Sequence, residues 1–148
     1  MFKCYIASPF FNESQLNTVK LIEKSLDNAG IKYFSPRSEG ILIEMTEEER
    51  KNKFKQIYQS NIKQMDKSFI MIANIDDRDL GTATEIGWFG KSSKPIFSYS
   101  GNDYQINIMM REMVLCHNTN INNLITNIQE FQNNEELTIF DELTKDVT

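Results

Sequence analysis

Apolar residues along this 148-residue chain form two patterns, short runs typical of buried strands and longer stretches with helical spacing. The runs are KCYIAS (3–8), IKYF (31–34), FIMIAN (69–74) and KPIFSY (94–99). Between them, apolar residues recur every three or four positions, as they do on one face of a helix. Strands that alternate with helices at these lengths predict parallel βαβ units, and therefore an α/β fold built on an open sheet.

Capping residues mark the predicted helix boundaries. Asn12, with Gln15 three residues later, predicts the start of the first helix, and Gly30 predicts its end. Thr46 and Glu49 form a capping box that opens a second helix. The apolar positions of that second helix are predicted to share one face: Phe54, Ile57, Tyr58, Ile62 and Met65.

The length of the chain suits a single domain, which is large enough to bury a core without metal or disulfide staples. We predict a domain over residues 1–134 that ends in two helical segments, 105–114 and 118–131. Residues 135–148 form an acidic tail that retains a few apolar residues. Docking of this tail on a neighbour and fraying are equally compatible with its composition.

The charge balance argues against a nucleic-acid partner. The formal net charge is −5, from 16 basic and 21 acidic residues, whereas a protein that binds a phosphate backbone needs clustered positive charge. Basic residues do gather in ERKNKFKQIYQSNIK (49–63). The glutamates just before them offset much of that charge, so we interpret this segment as a solvated helix face.

Cysteine usage and hydropathy suggest a cytoplasmic protein. Cys4 and Cys116 are too few and too far apart for a disulfide framework, and neither lies in a metal-ligand spacing. No apolar stretch approaches the length that spans a bilayer, and the N-terminus lacks the features of a signal peptide. The sequence therefore predicts no membrane association and no bound metal.

Four polar segments follow the predicted strands: ASPFFN (7–12), SPRSEG (35–40), DDRDLGTATE (76–85) and SGND (100–103). The loops that follow parallel strands meet at one edge of the sheet, so these segments are expected to line one cleft. Gly81 can allow close backbone approach, and Thr82 is predicted to cap the next helix. The cleft is therefore the expected ligand site.

Glu85 is the most informative residue in these loops, and two interpretations compete for it. An ionised carboxylate at the start of a helix can act as a nucleophile or a base. Thr82 and Glu85 also fit a capping box, the interpretation that spacing alone favours. Phosphate-binding glycine motifs are absent, and His117 is expected to be a surface or loop histidine rather than a catalyst.

Several segments resemble, in order, the landmarks of the nucleoside 2-deoxyribosyltransferases. The first strand and its loop, YIASPFFNESQLN (5–17), resemble a tyrosine-x-alanine-glycine-proline-x-phenylalanine pattern, with Ser8 in place of the glycine. The segment NIDDRDLGTATEIG (74–87) matches an aspartate-rich loop that closes on glycine-threonine-x-x-glutamate-x-glycine, and INIMM (106–110) matches a later landmark. The resemblance implies a flavodoxin-like or Rossmann-like domain that exchanges bases on 2′-deoxynucleosides without metal or organic cofactor.

The resemblance also implies catalytic roles. Glu85 matches the nucleophile that attacks the anomeric carbon and leaves a deoxyribosyl ester, which a second base then attacks. Asp79 matches a loop aspartate that contacts the base and is the candidate for proton transfer. Tyr5 matches a tyrosine whose hydroxyl holds the nucleophile. Turn capping is the competing structural role for Asp79.

The substrate-binding residues are carried over in the same way. Phe10 and Phe11 match aromatic positions that wall the base. Asn107 matches an asparagine that reaches a neighbouring subunit's sugar, with Met109 beside it, so a homo-oligomer is expected. Asn61 stands where the family has an aspartate, and an asparagine cannot ionise.

Two other functions are compatible with the sequence. A hydrolase of the same architecture would cleave deoxynucleoside 5′-monophosphates, with water as the acceptor. A nucleotide-binding module without catalytic activity is the third hypothesis, and Asn61 is the residue that favours it. Free nucleobases and deoxynucleosides are the expected partners of the first function.

Overall fold

The structure contains one parallel sheet flanked by helices. A computed structural model describes residues 3–39, 46–102 and 106–134. Its strands are β1 (Lys3–Ala7), β2 (Lys32–Phe34), β3 (Ile70–Asn74), β4 (Ile96–Tyr99) and β5 (Cys116–Asn118). Its helices are α1 (Glu13–Asn28), α2 (Glu47–Lys67), α3 (Leu80–Gly90), α4 (Ile108–Met113) and α5 (Ile121–Asn134). Short 3₁₀ helices at Pro36–Glu39 and Asp76–Arg78 follow β2 and β3.

The sheet has the order β2-β1-β3-β4-β5, and its strand pairs are parallel. This is the flavodoxin-like order, so the predicted α/β class is confirmed. The strand order reverses between β1 and β3. Ligands in open parallel sheets bind beyond the carboxyl ends of the strands at such a point.

Strand β1 supplies side chains to both faces of the sheet. Cys4 and Ile6 point into a core beneath α1 and α5. Tyr5 and Ala7 point into a second core beneath α2 and α3. This alternation follows from the two-residue period of a strand. It places Tyr5 on the same side of the sheet as Glu85.

The caps predicted for the first two helices are confirmed. The Asn12 side chain accepts a hydrogen bond of 2.9 Å from the backbone N–H of Gln15 at the start of α1. Gly30 has φ of 67°, a conformation that glycine adopts without strain, just beyond the end of α1. Thr46 and Glu49 exchange both hydrogen bonds of a capping box at the start of α2.

One strand was missed, and the environment of His117 was predicted wrongly. Strand β5 occupies Cys116–Asn118, so the last helix begins at Ile121 rather than at residue 118. His117 is buried in this strand, where its Nδ1 and the Ser98 Oγ share a hydrogen bond of 2.7 Å. The segment CHN has little hydrophobic character, so its sequence does not predict a buried strand. It is buried because it pairs with β4 and is covered by α5.

The apolar positions of α2 were predicted to share one face, and only the C-terminal half of that face packs on the core. Met65 is buried, whereas Phe54 is 50% exposed and Tyr58 is exposed as well. A helix of 21 residues is about 31 Å long, and a five-residue strand is about 17 Å long. Because α2 runs back from the carboxyl edge of the sheet, its first half extends beyond that edge.

The C-terminal predictions were partly correct. Helix α4 begins at Ile108 and is shorter than the predicted segment 105–114, whose first residue lies outside the described residues. The predicted tail, 135–148, also lies outside them. Among the helices that the structure describes, none is long and apolar enough to cross a membrane.

Candidate active site

A pocket of about 530 Å³ opens beyond the carboxyl ends of β1, β2 and β3. Its lining residues come from three of the four predicted loops and from α2: Ser8, Phe10, Phe11, Pro36, Glu39, Arg50, Phe54, Ile57, Asn61, Asp79, Gly81, Thr82 and Glu85. The fourth loop was placed wrongly for its described residues. Ser100 and Gly101 instead donate hydrogen bonds to the carboxylate of Asp76, at 2.7 and 3.0 Å.

Glu85 lies on α3 and lines this pocket, but it does not belong to a capping box. Asp79 is the N-cap of α3, which begins at Leu80, so Glu85 is on the second turn of the helix. The backbone N–H of Thr82 donates to Asp79, so the predicted cap at Thr82 is wrong. Asp79 lies three residues before Thr82, and its side chain satisfies a backbone N–H group in the first turn of the helix.

The Glu85 carboxyl lies in an environment that disfavours its charge. Burial raises its pKa, the Tyr5 hydroxyl opposes that change, and the charge of Asp79 adds to it, so that the pKa moves from 4.5 to about 7. The Tyr5 hydroxyl is fully buried, and no described residue lies at the distance and angle of a regular hydrogen bond to it. It still faces the Glu85 carboxyl, and burial together with that charge raises the pKa of Tyr5.

Asp79 combines a structural contact with a place in the pocket. Its Oδ2 accepts hydrogen bonds from the N–H and the Oγ1 of Thr82, at 2.8 and 3.0 Å. A side chain at position 81 would put its Cβ 3.1 Å from that oxygen, so Gly81 leaves the carboxylate its space. Among the described residues, none donates to the other oxygen of Asp79, which remains available to a ligand.

The aromatic and amide residues predicted to bind substrate also line the pocket. The rings of Phe10 and Phe11 lie 4.8 Å apart with an interplanar angle of 30°. Phe10 packs partly on the core beneath α1, whereas Phe11 is 74% exposed. The Oδ1 atom of Asn61 is enclosed and has no hydrogen-bond partner among the described residues.

Asn107 and Met109 do not line the pocket of their own chain. Asn107 is the N-cap of α4, and its side chain accepts a hydrogen bond of 2.9 Å from the N–H of Met109. Both side chains are exposed. Their predicted contact with a neighbouring subunit's substrate therefore stays a prediction.

Sequence reasoning predicted the loop after β2 and Asn61 as parts of the site, but it missed the other pocket residues contributed by α2. Arg50, Phe54, Ile57 and Asn61 recur at helical spacing and line the pocket together. This stripe was interpreted partly as a core face and partly as a solvated basic face. Its mixture of a cation, two apolar residues and an amide was the available signal. Glu39 lies in a loop that was expected to line the cleft, but no local signal links it to Ser60 of α2.

The fold and the pocket together define a class of protein. It is a parallel α/β protein with carboxyl groups in an aromatic-walled cleft at the switch point of its sheet, an arrangement suited to chemistry at a glycosidic bond. Within that class, the chain belongs to the nucleoside 2-deoxyribosyltransferase family, whose model matches residues 4–133. The resemblance inferred from the sequence motifs is thus confirmed. Enzymes of this family transfer glycosyl groups and act on deoxynucleosides and nucleobases.

Solved structures agree with this assignment. A 2-deoxyribosyltransferase from Bacillus psychrosaccharolyticus is 27% identical, with a TM-score of 0.72 and coverage of 83% of this chain and 90% of that protein. A 2-deoxyribosyltransferase from Leishmania mexicana is 17% identical, with a TM-score of 0.52 and coverage of 78% and 73%. A CMP N-glycosidase from Clostridium botulinum is 12% identical, with a TM-score of 0.54 and coverage of 86% and 98%. The last two show the shared fold alone, and no curated protein sequence matches the chain significantly.

Proposed function

We propose that this protein transfers 2-deoxyribose from one nucleobase to another through a covalent ester on Glu85. The observation that carries the proposal is the state of the Glu85 carboxyl. It lines a pocket walled by Phe10 and Phe11, and its pKa of about 7 lets an appreciable fraction ionise near neutral pH. A carboxylate that is weakly solvated and free to approach a ligand is suited to nucleophilic attack.

The proposed reaction has two displacements. A Glu85 oxygen bonds to the anomeric carbon of the deoxynucleoside, while the bond from that carbon to the base nitrogen breaks and its electrons leave with the base. Asp79 gives a proton to the departing base. The nitrogen of a second base then attacks the same carbon, breaks the ester bond, restores the carboxylate and returns the proton to Asp79.

The charge of the pocket supports a nucleoside as the substrate. Its described lining contains three carboxyl side chains, from Glu39, Asp79 and Glu85, and one guanidinium, from Arg50. A phosphate dianion would meet net repulsion there. The runner-up is hydrolysis of a deoxynucleoside 5′-monophosphate, and the Ser8 hydroxyl and the Arg50 guanidinium are the lining groups that favour it.

We also propose that the protein acts as a homo-oligomer in which Asn107 completes a neighbour's site. Exposed apolar side chains follow Asn107 along α4 and also occur on α3: Leu80, Trp88, Ile108, Met109 and Met113. The two helices pack against each other. Exposed apolar residues on two packed helices favour contact with another protein surface.

The decisive experiment incubates the protein with deoxyuridine and adenine and follows the formation of deoxyadenosine. Further donor and acceptor pairs extend the test to other bases. A 2′-fluoro-2′-deoxyarabinosyl nucleoside should trap the ester, because the fluorine destabilises the oxocarbenium-like transition states before and after the intermediate. Mass spectrometry of peptides then locates the sugar, which we expect on Glu85.

A matched comparison separates the three functions. Deoxynucleoside and its 5′-monophosphate are each supplied with and without an acceptor base. Base-dependent turnover of the nucleoside supports transfer, whereas base-independent turnover of the monophosphate supports the hydrolase. Ligand binding without release of any base supports the binding module. A sugar adduct on a residue other than Glu85 would refute the proposed mechanism.

A further inference from the structure

The pocket is lined by a third carboxylate, from the loop after β2, that the proposed mechanism does not use. Glu39 ends the 3₁₀ helix after β2 and lines the pocket. Its Oε1 accepts a hydrogen bond of 3.0 Å from the Oγ of Ser60, on α2. No lysine or arginine of the described residues lies within 4.0 Å of its carboxylate. Ser60 therefore holds the carboxylate in place, and no cation of the described residues pairs with its Oε2.

The topology separates Glu39 from the nucleophile. Strand β1 lies between β2 and β3 in the sheet. Glu39 follows β2, and Glu85 is on α3, which follows β3. The two carboxyl groups thus reach the pocket from opposite sides of β1, and α2 covers the side of Glu39.

In a displacement at a sugar carbon, the leaving group departs on the side away from the nucleophile. When Glu85 attacks one side of the anomeric carbon, the departing base therefore lies on the other side, towards the wall formed by Glu39 and α2. Asn61, one residue beyond Ser60, lies on the same wall and cannot carry a charge. Glu39 is the carboxylate that the described residues present there.

We propose that Glu39 is a specificity-determining residue that accepts a hydrogen bond from an N–H group on the six-membered ring of the base. This inference rests on the proposed transferase function. A carboxylate only accepts hydrogen bonds, so it stabilises bases that carry an amino group or a ring N–H at that edge. A base without such a donor covers the carboxylate oxygen and leaves it unpaired, which costs more than the absence of one contact.

The test is a double-mutant cycle that pairs Glu39→Gln with removal of one substrate group. Adenine and purine are the acceptor bases, because they differ only in the 6-amino group. We expect Glu39→Gln to lower kcat/KM for adenine by about ten- to hundredfold and to leave kcat/KM for purine nearly unchanged. The amide of glutamine can still accept from Ser60, so the variant keeps the local contact.

Two further variants sharpen the test. Ser60→Ala removes the bond that orients the carboxylate, so it should weaken the use of adenine more than that of purine. Glu48→Gln is the matched control, because Glu48 is an exposed residue of α2 that does not line the pocket. It should change neither value.

The role of Glu39 can also be tested without any transfer of sugar. The same cycle can be measured on the binding of free adenine and free purine by calorimetry, which requires no reaction. Coupling of at least about fivefold between Glu39 and the amino group supports the inference, and smaller coupling overturns it. Transfer without coupling would refute this inference alone. Coupling in binding without transfer would refute the proposed function alone.

Discussion

Asp76 and Glu85 both follow strand β3, yet they differ in how fully other groups hydrogen-bond to their carboxylates, and this difference separates a structural role from a chemical one. Asp76 is buried, and both of its carboxylate oxygens accept hydrogen bonds, from Ser100 and from Gly101. Glu85 faces a cavity, has only a loose contact with Tyr5, and has a raised pKa. A carboxylate with saturated hydrogen bonds holds two loops together, whereas one without them can react.

The largest expected difference concerns activity. Glu85→Gln should lower kcat for base exchange by at least about 10³-fold, because it removes the step in which the ester forms. Asp76→Asn should retain measurable exchange at temperatures where it is folded. Initial rates measured by chromatography give both values. If the Glu85→Gln protein exchanged bases near the wild-type rate, Glu85 would not be the nucleophile and would not differ from Asp76 in its chemical role.

Asp79 has features of both residues, so Asp79→Asn separates its two roles. Asparagine is about as good an N-cap as aspartate, and its side-chain oxygen can still accept from Thr82. It cannot supply a carboxylic proton. We expect kcat to fall by about 10²-fold or more with little change in the melting temperature. Loss of stability without loss of kcat would assign Asp79 to capping alone.

The raised pKa of Glu85 should appear in the pH dependence of stability. The folded state holds its proton up to about pH 7, whereas the unfolded chain releases it near 4.5. The neutral carboxyl therefore stabilises the fold fully at low pH, and this stabilisation is lost as the pH rises towards 7. Glu85→Gln should gain up to about 3 kcal/mol of unfolding free energy over wild type across this interval. Urea titrations at successive pH values measure the difference, and a constant difference would show that the pKa is not raised.

Asp76→Asn should lower stability rather than chemistry. The new amide cannot accept at both positions, and its NH₂ group would face a donor N–H of Gly101. We expect a loss of about 1–3 kcal/mol in unfolding free energy. Thermal and urea unfolding measure it, with the exposed neighbour Asp77→Asn as a control. Equal stabilities of the two variants would contradict the structural role of Asp76.

The smallest expected effect concerns Tyr5. Its hydroxyl lowers the pKa of Glu85, so Tyr5→Phe should raise that pKa further. The nucleophile must be ionised, so the acid limb of kcat/KM should move to higher pH, and activity should fall most at acidic pH. A pH–rate profile tests this shift. A uniform loss at all pH values would indicate a packing defect instead.

Local sequence was sufficient to predict the strands and helix caps that depend mainly on neighbouring residues. The apolar runs of β1, β3 and β4, the Asn12 cap and the Thr46–Glu49 capping box were all predictable, because each depends on neighbouring residues. Strand β5 was not, since three residues with little hydrophobic character become a strand only by pairing with β4. The motif around Glu85 identified the family, but spacing alone favoured a capping box for Glu85, which the structure does not contain.

The amino-acid sequence by itself thus determined the α/β class, most element boundaries and Glu85 as the candidate nucleophile. Only the tertiary structure decided that Asp79 caps α3, that the first half of α2 extends past the sheet, and that Ser60 of α2 holds the Glu39 carboxylate. The physical reason is the range of the interactions. Capping and periodicity act over three or four residues, whereas the pocket depends on where separate strands place their loops and on which carboxyl groups remain without partners.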